Sequence, residues 1–390
     1  MPNTGRFQSI DTLRGFVMVL MALDHVRDYF HVDAFRFEPT DLSQTNPALF
    51  FTRWITHYCA PVFVLLAGTS AYLVGLKRGR KALSSFLLTR GLWLIVVEVV
   101  IVSFGWTFDP FFDAVVLQVI WAIGISMVVL SLLVHLPFTL ILTLGCVIVL
   151  GHNLLDYPEA ELKGNAGLWW DLLHHGQFTP YLIIPGHVLL VAYAFLPWTG
   201  IIILGYCMGK WFAPNTNAAL RKKRLVTTGL LLIGLFILLR VINQYGDPLP
   251  WKPQGSAMFT LMSFLNISKY PPSLMYTCVT IGPALLVLAA LQNTTSRVTS
   301  VLNIYGRVPF FYYLLHLYLI HVLCMIAFFV AGYTAADIPS RPFFFRPNSF
   351  GYPLWAVYIV WLLAIALLYP VCRWYDRYKS SHRKWWLSYV

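Results

Sequence analysis

The feature that most constrains this chain is a recurrence of apolar runs near the ~20 residues that one helix needs to cross a bilayer. They fall at roughly 10–30, 49–76, 83–105, 113–134, 137–155, 186–212, 225–244, 272–291, 307–332 and 351–372, the fifth being the shortest. In lipid the backbone must satisfy its own polar groups, which leaves helices or a closed barrel. Runs of this length select helices. The predicted fold class is therefore all-α: a polytopic transmembrane helix bundle of about ten spans, forming one domain over 1–390. Only 11% of the residues are charged, against about a quarter in soluble domains. Trp and Tyr gather near many span ends, as interfacial belts do.

The net charge of +12 raises the question of nucleic acid, but the charges sit in short connections between apolar runs, which is a topology signal and no DNA-binding face. "KRGRK" (Lys77–Lys81), "RKKR" (Arg221–Arg224), Arg297 with Arg307, and the tail "RWYDRYKSSHRKWW" all lie on one side if ten helices alternate from a cytoplasmic N-terminus. Asp109, Asp113, Asp156, Glu159, Glu161 and Asp171 fall on the other. The positive-inside rule then places both termini in the cytoplasm. A cleaved signal peptide would need a small-residue site after "FVMVLMAL"; the sequence continues "DHVRDYFH", so the first run is expected to remain as a span. The punctuated segment Asp156–Ile184, with "GLWWDLLHHG", is expected to lie on the outer surface or to cap a cavity. Gly246–Lys269 reads as a second outer loop, and no internal repeat is visible. The six cysteines form no C-x-x-C pair and the eleven histidines show no H-E-x-x-H spacing, so no metal is expected.

Ionisable groups inside spans cost about 2.5–3.5 kcal/mol each on insertion scales and normally face a bundle interior or a wet cavity. The first run carries Arg14 and His25 on one face, roughly 16 Å apart along the axis. Arg14 is then near the cytoplasmic surface and His25 in the outer part. His57 enters from the opposite direction to a comparable depth, with Arg53 one turn away. Asp24, His25, Arg53 and His57 are expected to converge, with a carboxylate orienting an imidazole. The ninth run, "YGRVPFFYYLLHLYLIH", adds Arg307, Tyr313, His316 and His321. Glu98 and Arg240 are further isolated charges. The plain alternative is that His321, His135 and His152 are interhelical hydrogen-bond partners. Arg53, Arg90 and Arg240 would pair locally or snorkel, and the basic loops would only set topology.

The blocks "IDTLRGFVMVLMALDH", "HYCAPVFVLLAGTSAYL", "PWTGIIILGYCMGKW" and "YGRVPFFYYLLHLYLIH" resemble, in that order, the catalytic domain of heparan-alpha-glucosaminide N-acetyltransferase and its bacterial membrane relatives. The Arg14-to-His25 spacing is also similar to that of broader membrane acyltransferases of envelope sugars. The resemblance implies transfer of an acetyl group from cytoplasmic acetyl-CoA to an acceptor across the membrane. For a bacterial relative that acceptor is a glycan or lipid-linked sugar, and the location is the cytoplasmic membrane. The family's proposed active histidine aligns near Pro47, so its role does not transfer; His25, His31 and His57 are the nearby candidates. The Tyr313-x-x-His316 pair does match a family block.

Acyl transfer needs a base to remove the acceptor's proton, or an imidazole that carries the acetyl group covalently. The expected assignment is His25 as base or acyl carrier, Asp24 as its orienting group, and His57 or His316 assisting. Arg14, with Arg307, would hold CoA phosphates, the basic loops helping. The competing class is a small-molecule transporter or flippase with a charged intramembrane pathway, in which Glu98 and Arg240 would serve. No inverted repeat supports that reading. The sequence leaves open whether the chain forms a homo-oligomer.

Overall fold

The computed structural model describes residues 7–162, 166–339, 343–382 and 384–388. It is mostly helical. Among the described residues, seven helices are long and apolar enough to cross a membrane: Pro47–Arg78, Arg80–Thr107, Phe138–Leu162, Ala218–Ile242, Leu274–Asn293, Pro309–Val330 and Leu354–Ser381. The other three predicted spans also fold as helices, and each misses that mark for a visible reason. Helix α1 (Gln8–Phe30) carries Asp11, Arg14, Asp24, Arg27 and Asp28, while α6 (Val119–Leu133) and α10 (Phe195–Gly209) have fifteen residues each.

The remaining helices follow chain order. They are α2 (Pro47–Thr56), α3 (Cys59–Arg78), α4 (Arg80–Val97), α5 (Ser103–Thr107), α7 (Phe138–Gly151), α8 (Asp156–Leu162) and α9 (Leu168–Leu173). After α10 come α11 (Ala218–Ile242), α12 (Ala257–Leu265), α13 (Leu274–Ala290), α14 (Arg297–Arg307), α15 (Pro309–Val330) and α16 (Leu354–Ser381). Local sequence explains several starts. Asn46 caps α2 ahead of Pro47, Ser273 caps α13, and Ser296 forms a capping box with Thr299 at α14, each satisfying amide groups that a helix start leaves open.

The expectation of an all-α chain needs one correction. Strands β1 (Ala114–Leu117), β2 (Pro180–Ile184) and β3 (His187–Val191) form a sheet in the order β1-β3-β2, with β1 parallel and β2 antiparallel to β3. The predicted spans 113–134 and 186–212 therefore begin as strands. Both stretches are short apolar runs rich in Val, Leu and Ile, which periodicity alone cannot tell from buried helix. The segment Gly246–Lys269, read as a loop, contains α12.

Helix α1 lies at the centre and packs against α2, α3, α13, α14, α15 and α16. Its closest approach is to α14: a side chain at Gly15 or at Gly306 would overlap backbone of the opposite helix, Leu302 and Asp11 respectively. The α3–α10 crossing repeats this with Gly68 and Gly205, whose Cβ positions would overlap the Ile202 and Leu65 carbonyls. Such small-residue seams are how membrane helices gain contact where no hydrophobic driving force acts between them. At the periphery α11 and α16 leave Leu230, Leu231, Ile237, Ile359, Leu362 and Leu367 exposed, as lipid-facing helices do.

Candidate functional site

Three spaces line up through the bundle. The largest, about 580 Å³, is lined by Asp24, His25, Arg27, Asp28, Glu38 and Arg53 on one wall. Trp106, Gln118, Phe178, Tyr193, Lys269, Tyr270 and Phe343 complete it. It is called here the mixed cavity. A second space of about 460 Å³ is lined by Arg14, Ser70, Arg78, Arg90, Arg307 and Lys379 together with apolar side chains, and no carboxylate is among its described lining residues. This is the basic cavity. Between them is a waist of about 40 Å³, less than a tenth of either cavity. The waist shares Asp24, His25, Gln118, Tyr193 and Lys269 with the mixed cavity, and Phe63 and Ile120 with the basic one.

At the waist the structure brings together two of the predicted residues that are 291 positions apart. His25 Nδ1 lies 2.7 Å from His316 Nε2, with the rings 4.8 Å apart and nearly parallel. His316 is fully buried, and its Nδ1 is 3.1 Å from the Tyr312 carbonyl oxygen. A carbonyl only accepts, so His316 Nδ1 carries the hydrogen and Nε2 the lone pair. His25 Nδ1–H then donates to His316, which leaves His25 Nε2 as an unprotonated nitrogen. The edge of Trp106 packs against the His25 ring at 4.8 Å. One backbone carbonyl thus sets the tautomer of both imidazoles.

Asp24 does not orient His25, and that expectation is corrected. Its carboxylate lies 2.9 Å from Arg27 Nη1 and 2.5 Å from Arg53 Nη1, and it accepts from the Thr56 hydroxyl at 2.9 Å. Arg27 also reaches Asp28 at 2.6 Å. Two guanidiniums and a hydroxyl leave little carboxylate for the His25 imidazole, which projects from the same helix about 100° around its axis. Nor does His57 join the waist. Its carbonyl accepts from Tyr276 at 2.8 Å, and its Nδ1 is buried with no hydrogen-bond partner among the described residues. His31 stands apart as well, its carbonyl held by Arg346 at 2.7 Å. Burial lowers the pKa of the His31 imidazole.

Arg14 and Arg307 both line the basic cavity. Arg14 donates to Ser70 at 2.9 Å and contacts Asp11 and the Gly306 carbonyl at 3.3 Å; Arg307 is 3.4 Å from Asp376. Three further cations join them in that lining. Arg78 lies in a basic loop expected both to set topology and to help hold CoA, Arg90 reads in the sequence as a locally paired or snorkelling side chain, and Lys379 reads as part of a basic tail. Lys269 was missed on the other side, where its ammonium sits 5.0 Å from the Tyr270 ring and 5.8 Å from Tyr193. A lone Lys beside Tyr270 in "SKYPP" is its only signal in the sequence.

The two isolated charges have structural partners. Glu98, in a π-helical turn between α4 and α5, accepts the Trp121 amide at 2.8 Å, at the start of α6. Arg240 donates to the carbonyls of Leu249, Phe264, Ser263 and Asn266 at 2.5–2.9 Å. His321 lies between the Gly105 and Phe344 carbonyls at 3.1 and 2.9 Å.

Comparison with known proteins supplies the frame for this geometry. No curated protein matches the chain. The family described as "Heparan-alpha-glucosaminide N-acetyltransferase, catalytic" matches residues 6–240, which includes α1 with Arg14 and His25 and stops before His316. That match spans more than half of the 390 residues. The chain belongs to the heparan-alpha-glucosaminide N-acetyltransferase catalytic family, a family of membrane acetyltransferases.

Proposed function

We propose that this protein is a membrane acyltransferase that takes an acetyl group from acetyl-CoA in the basic cavity and gives it to an acceptor in the mixed cavity. The observation that carries the reading is the His25–His316 pair, with His25 lining the narrow space that shares residues with both described cavities. We place ten spans in the bilayer, with both termini and the basic cavity facing the cytoplasm, on the asymmetry of Lys and Arg between connections. In a bacterium that membrane is the cytoplasmic one.

In the reaction, Arg14, Arg78, Arg90, Arg307 and Lys379 hold the CoA phosphates, for which clustered guanidiniums are suited. The thioester reaches toward the waist. An acceptor amine or hydroxyl enters from the mixed cavity, and its nitrogen or oxygen attacks the thioester carbonyl. His25 Nε2 takes the acceptor's proton as the new bond forms. The carbon–sulfur bond breaks, and the CoA thiolate leaves with that proton. His316 shares the resulting imidazolium charge through the His25 Nδ1–H bond. The same Nε2 could instead carry the acetyl group between the two cavities. The mixed cavity combines aromatic faces with both signs of charge, a lining suited to an amino sugar or another glycan or lipid-linked acceptor.

Purified protein given radiolabelled acetyl-CoA tests this reading. Turnover to an amino-sugar acceptor, or label on the protein in its absence, supports transfer, and label retained on His25 identifies the covalent route. Uptake of a solute into proteoliposomes without acetyl consumption would favour the transporter instead. Arg240 lends that alternative no support, since its guanidinium is spent on backbone carbonyls. Glu98 holds the Trp121 amide through Oε2, and its Oε1 is buried without a partner among the described residues.

A further inference from the structure

A second cluster of ligating side chains lies away from the waist, where α7, α8 and α9 meet. The ligand atoms of Asp156, Glu159 and His174 all lie within 4.8 Å of one another. Glu159 and His174 are buried, and Asp156 is half-buried and reaches solvent. No sequence motif announces the group. Asp156 and Glu159 share a face of α8 at a spacing of three residues, but His174 arrives from beyond α9.

We propose that Asp156, Glu159 and His174 bind a divalent transition metal, zinc foremost. The first argument is charge. Two carboxylates and a neutral imidazole balance a divalent cation, and the imidazole favours zinc-class ions over calcium or magnesium. The second is that each ligand is already held by a neighbour. Asn153 Nδ2 donates to Asp156 at 2.7 Å, and Trp170 Nε1 donates to Glu159 at 2.8 Å. His174 Nε2 lies 3.0 Å from His152 Nδ1. That leaves His174 Nδ1 facing Glu159 at 2.5 Å. A metal bound about 2.0–2.2 Å from each would replace the proton between them once the two side chains part by roughly 0.8 Å. Partners of this kind fix ligand orientation and tautomer at metal centres. A half-buried Asp156 leaves an entry path and an open position for water.

The ion would brace the cap. Asn153 also accepts the Leu274 amide of α13 at 2.8 Å. The next residue, His175, contacts Asp171, which accepts from Tyr181 of β2. From there the β2–β3 sheet leads to Gln177, Phe178 and Leu190 on the wall of the mixed cavity. One metal would thus tie α7, α8, α9 and α13 to that wall.

The test uses the full chain, freed of any affinity tag, in detergent. It is stripped with a chelator, reloaded with zinc alone and desalted. Elemental analysis should find about one zinc per chain, and thermal unfolding should shift upward with zinc, because an ion that binds only the folded state stabilises it. Glu159→Gln, which keeps shape and hydrogen bonding, and His174→Ala should each lose the zinc and the shift. His175→Ala, one residue away, should keep both. Less than about a tenth of an equivalent in the wild type, with no thermal shift, would overturn the site. So would zinc retained undiminished by Glu159→Gln and His174→Ala, since the ion would then be bound elsewhere. None of these readouts involves acetyl transfer, so either result leaves the proposed reaction untouched.

Discussion

The two cavities differ in what their walls can hold. The mixed cavity sets Asp24, Asp28 and Glu38 against Arg27, Arg36, Arg53 and Lys269, with aromatic rings between them. The basic cavity has Arg14, Arg78, Arg90, Arg307 and Lys379 and only apolar or hydroxyl groups beside them. In the first, charges are largely answered by charges, as in the Arg53–Asp24–Arg27 cluster. In the second, Arg14 pairs with Asp11 at 3.3 Å and Arg307 with Asp376 at 3.4 Å, but neither carboxylate is among the described residues that line the cavity. A wall of one sign suits a polyanion such as CoA. A wall of both signs with aromatic faces suits a neutral or weakly charged polar molecule. The difference is what the proposed reaction needs: two substrates of unlike charge, each with a cavity of its own.

That contrast can be broken most sharply at the waist. His25→Ala should lower acetyl-transfer turnover by roughly 10²–10⁴, the usual contribution of a positioned base, while CoA affinity stays unchanged because the basic cavity is intact. His316→Ala should follow in the same direction by releasing the tautomer of His25. Near-normal turnover in His25→Ala, measured on well-folded protein, would remove this residue from the chemistry.

Asp24→Asn addresses the mixed cavity. Removing the anion leaves Arg27 and Arg53 facing each other without it. Breaking a buried ion pair from one side typically costs about 3–5 kcal/mol, so thermal unfolding should move down clearly. An unchanged midpoint would mean that Asp24 acts in chemistry and not in holding the wall.

Arg14→Ala should weaken CoA binding about tenfold, the scale of one charge-assisted hydrogen bond at about 1.5 kcal/mol or slightly more. The loss should shrink at high salt, and the acceptor KM should not move. A fall in turnover at saturating CoA would instead place Arg14 at the chemical step. His135→Ala, at an exposed turn on the side of the basic loops, should change stability by less than about 0.5 kcal/mol and leave rates alone.

Much of this arrangement was legible in the residues. Hydropathy located the long apolar helices, and charges inside spans pointed to α1, but α14 (Arg297–Arg307), which packs most closely on α1, reads in the sequence as a basic connection. What periodicity could not supply was partnership across the chain. The residues His25 and Asp24 are neighbours in sequence, which invites pairing them, yet a helix turns them apart. The true partner of His25 comes from α15. The strands at Ala114–Leu117 and His187–Val191 were hidden for a different reason: a short apolar run carries the same signal whether it is half a sheet or a helix start. The basic cavity was half legible, since Arg78 does set topology and also lines a pocket, and one residue type served both ends.

The glycine seams between α1 and α14 and between α3 and α10 bear on how the membrane stays sealed. An enzyme that hands a group across a bilayer must not leak protons or ions while doing so. Transporters meet that demand by rocking one half of the fold against the other. Here backbone meets backbone at Gly15–Gly306 and Gly68–Gly205, so these helices have no slack in which to slide or roll. On the proposed reading the barrier to permeation is then static and lies at the narrow waist of about 40 Å³. What would pass it is a bond exchanged between two molecules, with neither leaving its own side.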